Sequence, residues 1–167
     1  MDEIAFFKEM SIFTDLNTEE IKKITGIMKR INVPKGKVII QEGDTGDSMY
    51  IIMNGSVEVS KTLSIKIDGQ GFEEKEKILE RLSASDYLVF GEVGLLERNI
   101  RTASVVAISD CTLCEIKNED FQKLIDEDPR MGIKLVKNIA RLVCARLRKA
   151  DEDTIKLTTA LSIALSR

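Results

Sequence analysis

The sequence predicts an α+β fold: a small antiparallel jelly roll, or double-stranded β-helix, set between N-terminal helices and one long C-terminal helix. Three observations predict it. Residues 37–116 carry short β-branched runs separated by glycine and aspartate, as short strands joined by tight turns require. The residues before them carry helix-start chemistry, and those from 129 onward keep a helical apolar repeat. A chain of 167 residues with 43% hydrophobic content is long enough to bury a core as one domain.

The elements follow in order. Asn17 is the expected N-cap of a helix over Thr18–Lys29, with Glu20 three residues on and Ile21, Ile24 and Met28 spaced for burial. Pro34 and Gly36 close that segment. Strands are expected at Val38–Ile40, Tyr50–Ile52, Val57–Val59, Leu63–Ile67, Ile78–Leu79, Val105–Ile108 and Cys111–Ile116. Gly43-Asp44 and Gly46-Asp47 are expected to turn the chain between strands, Gly55 to adopt positive φ after Asn54, and Asp68–Gly71 to form a hairpin tip. Asn118 is the expected cap of a short helix to about Asp126, and Asp128 of a longer one with Pro129 at its first position.

That last helix holds a second pattern. Val136, Ala140, Val143, Leu147, Ala150, Thr154, Leu157, Leu161 and Ala164 alternate spacings of four and three, as a coiled-coil seam does. Parallel pairing of two copies is the expectation, while the first two turns suit packing on the chain's own sheets equally well. Beyond Ala150 too little protein remains to cover the stripe.

Composition excludes several functions. A net charge of −3 and a pI near 5.2 argue against a dedicated nucleic-acid binder. The basic cluster Arg141, Arg146, Arg148 and Lys149 is followed at once by Asp151, Glu152 and Asp153, and reads as a solvated helix face. With no histidine, Ser-His or Cys-His nucleophile pairs, His-ligated zinc and His-held haem are excluded. Cys111 and Cys114 are three apart in an expected strand, so they point to opposite faces and do not share a metal; they and Cys144 are expected to be buried structural thiols. No apolar run approaches the roughly 18 residues of a membrane span, and the start Met1-Asp2-Glu3 has no basic stretch before a hydrophobic one, so a cytoplasmic protein is expected.

The candidate site lies in Phe90-Gly91-Glu92-Val93-Gly94-Leu95-Leu96 and the residues running on to Arg101-Thr102-Ala103-Ser104-Val105. Glycine lets the backbone approach a ligand, and a short helix opening at Gly91 would aim free N–H groups at an anion. The planar fork of Arg101 can engage two phosphate oxygens, and the carboxylate of Glu92 can accept a sugar hydroxyl's hydrogen. Together these groups suit a sugar phosphate.

This passage resembles the phosphate-binding cassette of the cyclic nucleotide-binding domain, roughly Phe-Gly-Glu-(Leu/Ile)-Ala-Leu-Leu, a short variable stretch, then Arg-(Ala/Thr/Ser)-Ala-(Thr/Ser)-Val. A second stretch, Gly43-Asp44-Thr45-Gly46-Asp47-Ser48-Met49-Tyr50-Ile51-Ile52-Met53-Asn54-Gly55-Ser56-Val57-Glu58-Val59, is similar to the family's upstream signature. The resemblance covers about residues 1–150. It implies the jelly-roll fold over residues 1–128 with a lid and dimerisation helix over 129–167. It also implies a non-enzymatic receptor for cyclic AMP or cyclic GMP, without cofactor or metal, in which Gly91, Glu92, Val93, Arg101, Thr102 and Ala103 hold the ligand. Some members place an aromatic lid over the base; no aromatic residue follows Phe121 here, which leaves Arg146 or an aliphatic such as Leu142 for that place.

Departures from the pattern are Ile100 for the usual proline, Gly94 for alanine, and Ser83-Ala84-Ser85-Asp86 without the common glycines. The stretch Tyr87-Leu88-Val89 is about two residues longer than usual and is expected to bulge the strand entering the pocket. Only 17 of the 167 residues follow Ala150, so no helix-turn-helix is expected; the partners expected are a second copy and an unidentified downstream protein. The competing expectation is an interaction scaffold that keeps the fold but has lost the ligand.

Overall fold

The computed structural model describes residues 3–67, 71–86 and 88–166. The chain opens with helix α1 (Glu3–Lys8), a 3-10 turn at Ser11–Phe13 and helix α2 (Thr18–Gly26). The strands are β1 (Lys29–Val33), β2 (Val38–Ile40), β3 (Thr45–Gly46), β4 (Ser48–Asn54), β5 (Ser56–Ile67), β6 (Gly71–Ser83) and β7 (Val89–Phe90). Helix α3 (Glu92–Leu96), strands β8 (Asn99–Ile100), β9 (Ser104–Ala107) and β10 (Cys111–Lys117), helix α4 (Asn118–Glu127) and helix α5 (Pro129–Leu165) complete it. Two four-stranded antiparallel sheets, ordered β1-β10-β4-β7 and β2-β9-β5-β6, form the expected jelly roll, and β3 and β8 make a small separate pair.

Alternation along the strands builds the core. Inward residues of the two sheets, among them Ile52, Val57, Leu82, Phe90 and Leu113, fill the space between them. On its other face the first sheet presents Met49, Ile51, Cys114 and Ile116 to Phe7, Ile21, Ile24, Phe121, Leu135 and Ile139 of the helices. Each such fully buried side chain contributes about 1.5–3 kcal/mol. Cys111 and Cys114 do fall on opposite faces, in different parts of the core. Cys144, expected to be buried, is exposed.

Several boundaries differ from the sequence reading. The capping box of α2 is present, with Asn17 Oδ1 accepting from the Glu20 amide and Glu20 Oε2 from the Asn17 amide. The helix ends at Gly26, however, and Lys29 begins β1, a strand that the charged, irregular stretch Lys29–Val33 conceals. The runs Val57–Val59 and Leu63–Ile67 are one strand of 12 residues, paired with a 13-residue β6, because the polar residues between them, buried Ser60 and exposed Lys61 and Thr62, keep the pairing unbroken. Of the expected hairpin tip, Gly71 belongs to β6 and residues 68–70 lie outside the described residues. No register shift marks the β4–β7 pairing; a 3-10 turn at Ala84–Asp86 leads toward it, and Tyr87 lies outside the described residues.

Gly55 adopts φ 87° as expected, and a Cβ there would come 2.4 Å from the Asp110 carbonyl oxygen. Asn118 does not cap α4. It is the first helical residue, its backbone N–H donating to the Asp47 carbonyl (2.7 Å) and its side-chain amide to the Leu95 carbonyl (2.6 Å), while Lys117 occupies the cap position without a side-chain bond. Asp128 does cap α5, accepting from the Met131 amide.

Helix α5 docks through one face. Met131, Leu135 and Ile139 are buried, and Asn138, only 4% exposed, donates its amide to the carbonyls of Ile12 (3.2 Å) and Thr14 (2.7 Å). Lys134 pairs with Glu20 and Lys23 with Asp128, tying α5 to α2. Of the seam residues, Val143 is half-buried against the helical core, whereas Val136 and Ala140 are exposed, not packed on the sheets, and Leu147, Leu157 and Leu161 are each about 60% exposed. Truncating Asn138 removes the donor to both carbonyls, of which that of buried Ile12 is shielded from water. Asn138→Ala is expected to cost about 1–3 kcal/mol, read as a lower denaturation midpoint with unchanged slope.

Candidate functional site

The two sequence motifs meet at one arginine. Strand β3 pairs Thr45 with Ile100 and Gly46 with Asn99, and the backbone at Arg101 is fixed on both sides, its N–H donating to the Asp44 carbonyl (2.7 Å) and its carbonyl accepting from the Gly43 amide (2.9 Å). Gly46 is therefore not a simple turn residue. The Arg101 side chain turns inward, Nη2 donating to the Ser48 carbonyl at 2.9 Å and Nη1 to the Gly91 carbonyl at 3.3 Å.

Three glycines make room for that guanidinium. A Cβ on Gly46 would lie 1.8 Å from Arg101 Nε, one on Gly94 2.5 Å from Nη1, and one on Gly91 3.1 Å from Nη1. Gly91 also adopts φ 78°, which only glycine takes without strain, and so turns β7 into α3. Gly94, a departure from the family pattern in the sequence, thus has a steric role. Gly46 was missed as a site residue although its motif was noted, since nothing in a linear sequence says which side chain will fill the space it leaves.

Glu92, the first residue of α3, is only 5% exposed. Its Oε2 pairs with Arg146 Nη1 of α5 at 2.5 Å, and Arg146 Nη2 donates to the Val89 carbonyl at 2.6 Å. Three residues on, Lys149 pairs with Glu80 of β6 at 2.5 Å. The basic cluster is therefore not simply a solvated face: two of its members clamp α5 to the roll, while Arg148 is exposed and Arg141 donates to Asn138 Oδ1.

Gly91, Glu92, Val93, Arg101, Thr102, Ala103 and Arg146 all line one cavity of about 520 Å³, a size suited to a small ligand. Its far wall holds residues that the sequence did not single out. A register shift opposite Val59 and Ser60 leaves Leu79 as an extra residue in β6, and the consecutive Lys77, Ile78, Leu79 and Glu80 all border the cavity. Leu157 and Thr154 of α5 face them across it. Aliphatic side chains thus line the cavity in place of an aromatic lid, but Leu142 is not among them and packs with the helical core instead.

Behind the cassette, Tyr50 stacks on Phe90 with ring centroids 5.2 Å apart and donates its hydroxyl to Glu115 Oε1. Burial, and then the nearby Glu115 carboxylate, push its phenol up to about 12. Among the described residues no group of three or more potential metal-ligating side chains occurs, and no helix is long and apolar enough to cross a membrane.

A model of the cyclic nucleotide-binding domain matches residues 30–128. The chain belongs to this family. It is 33% identical over 144 residues to the cyclic AMP receptor protein of Thermus thermophilus, covering 86% of this chain and 60% of that protein. It is 32% identical to the cAMP-dependent protein kinase regulatory subunit of Aspergillus niger, over 72% of this chain and 26% of that one. The solved Thermus thermophilus catabolite activator protein superposes with a TM-score of 0.73 at 31% identity, over 89% of this chain and 63% of that one. The chain thus spans about three fifths of the first relative and about a quarter of the second.

Tyr50 gives the domain a measurable pH signature. Its folded-state value lies above the ordinary 10, so between about pH 10 and about pH 12 the unfolded chain loses a proton that the folded chain keeps. Stability is expected to fall through that window by up to about 3 kcal/mol. Tyr50→Phe should show a shallower decline in denaturant melts across the same range; a slope equal to the parent's would remove Tyr50 as the cause.

Proposed function

We propose that this domain is a non-enzymatic receptor for a cyclic nucleotide, cyclic AMP or cyclic GMP, which signals occupancy through α5. The observation that carries the reading is the glycine cradle holding Arg101 beside a buried Glu92 at one end of the cavity. A guanidinium has five N–H donors, of which the Ser48 and Gly91 carbonyls take two. The remainder, with backbone N–H groups at Glu92 and Val93, receive the cyclic phosphate. Glu92 accepts the ribose 2′-hydroxyl through the carboxylate oxygen that Arg146 does not engage, and Thr102 and Ala103 border the phosphate from the turn before β9.

The base lies toward Ile78, Leu79 and Leu157, whose aliphatic surfaces accept either purine. The Thr102 hydroxyl can accept from the guanine 2-amino group, which permits cyclic GMP, but one such bond is worth about 0.5–1.5 kcal/mol. Both nucleotides are therefore expected to bind within about tenfold of each other. Occupancy acts on α5 because Arg146 and Lys149 tie that helix to the cassette and to β6. The exposed seam from Leu147 to Ala164 pairs two copies in parallel, so a shift of one helix is felt by its partner.

One observation favours the ligand-free scaffold as a second reading: Arg101 and Glu92 already have protein partners, so the site is satisfied when empty. Calorimetric titration with cyclic AMP and cyclic GMP in parallel decides between the two. Arg101→Ala is expected to stay folded and to weaken binding about 30-fold to several-thousand-fold, since an enclosed phosphate loses its strong partner at about 2–5 kcal/mol. A variant that titrates like the parent would put the phosphate elsewhere.

For assembly, Leu147→Glu with Leu157→Glu places like charges in the seam. The parent is expected to sediment as a dimer and the double variant as a monomer with an unchanged circular dichroism spectrum. A parent that is monomeric at high concentration disposes of the pairing.

A further inference from the structure

We infer that Asn118 is a positioning residue that couples the arginine cradle to α4 and, through it, to α5. Helix α3 is five residues long, and a helix leaves its last carbonyls without internal partners. Leu95 is fully buried, so its carbonyl needs a donor that is not water. Asn118 Nδ2 supplies it at 2.6 Å. The same residue's backbone N–H donates to the Asp47 carbonyl at 2.7 Å, and Asp47 lies between Gly46 and Ser48, the two residues against which Arg101 rests.

One residue therefore holds both walls of the cradle, and it is also the first residue of α4. Movement of α3 or of the Gly46–Ser48 segment reaches α4 without an intervening loop. From α4 it passes to α5 across a tight junction, where a Cβ on Gly132 would lie 2.7 Å from Ile125 Cβ. A helix cap could have been made by Ser, Thr or Asp as well as by Asn. A side chain that must donate to the Leu95 carbonyl cannot be an unprotonated Asp, so the contact distinguishes residues that capping would not.

Hydrogen exchange tests the assignment, with Asn118→Asp keeping the shape and losing the donor, and Asn118→Ala losing both. Asn32→Asp is the control, since it lies away from the cassette and keeps the acceptor that Asn32 offers the Thr112 hydroxyl. In the ligand-free proteins, both Asn118 variants are expected to speed exchange about tenfold or more in residues 91–97 and 118–127 together, and the control in neither. Exchange unchanged in either segment overturns the coupling.

The second arm rests on the nucleotide reading. With saturating cyclic AMP, the parent's protection is expected to change in residues 43–48, 91–103 and 118–146, whereas that of Asn118→Asp changes in the first two segments only. A ligand response in 118–146 equal to the parent's also overturns the coupling. A parent that binds neither cyclic AMP nor cyclic GMP defeats the receptor reading while the ligand-free arm still decides the role of Asn118.

Discussion

The site depends on one steric constraint: a guanidinium occupies the space that three missing side chains would fill. Gly46, Gly91 and Gly94 come from two segments distant in sequence, and each would meet Arg101 if it carried a Cβ. Because the far end of Arg101 is flexible, a methyl at Gly46 or Gly94 would displace the arginine rather than unfold the roll. The glycines thus answer to the position of a charge, not to the stability of the sheets. The short β3–β8 pairing fixes the Arg101 backbone, and the carbonyls of Ser48 and Gly91 fix its head.

The second organising feature is that α5 divides its faces between two tasks. Over its first three turns Met131, Leu135 and Ile139 anchor it to the helical core, with Asn138 and Lys134 adding polar ties that apolar packing alone would not orient. Further along, contact with the roll passes to Arg146 and Lys149, which meet Glu92 and Glu80. The Lys149–Glu80 pair is solvent-exposed and contributes at most about 1 kcal/mol. Beyond Val143 the docking of α5 therefore rests on these ionic contacts rather than on the helical core.

Much of this was legible in the sequence because local chemistry and tertiary context agree. The Asn17–Glu20 box, the Asp128 cap and the Gly55 turn are set by neighbouring residues, and each formed as read. The seven candidate ligand residues all border one cavity. What escaped was set by distant partners. Lys29–Val33 is a strand because β10 pairs with it, and Asn118 serves the Leu95 carbonyl because the fold buries that carbonyl. The register shift that brings Leu79 to the cavity wall depends on how β5 and β6 align along their whole length, which no window of the sequence contains.

The Glu92–Arg146 pair shows why part of the site is built against stability. Replacing a buried ion pair by well-packed apolar residues is often neutral or stabilising, since desolvation offsets much of the attraction. Breaking one by removing a single partner is costly, about 3–5 kcal/mol, because a bare charge stays buried. A pair of this kind therefore adds little to the fold; under the proposed receptor reading, it makes the position of α5 conditional on what the carboxylate meets. An apolar contact at the same place would hold α5 equally well whether the cavity were empty or full. The charged contact responds to a new hydrogen-bond donor or anion beside it, and it joins α5 to the first residue of the cassette helix.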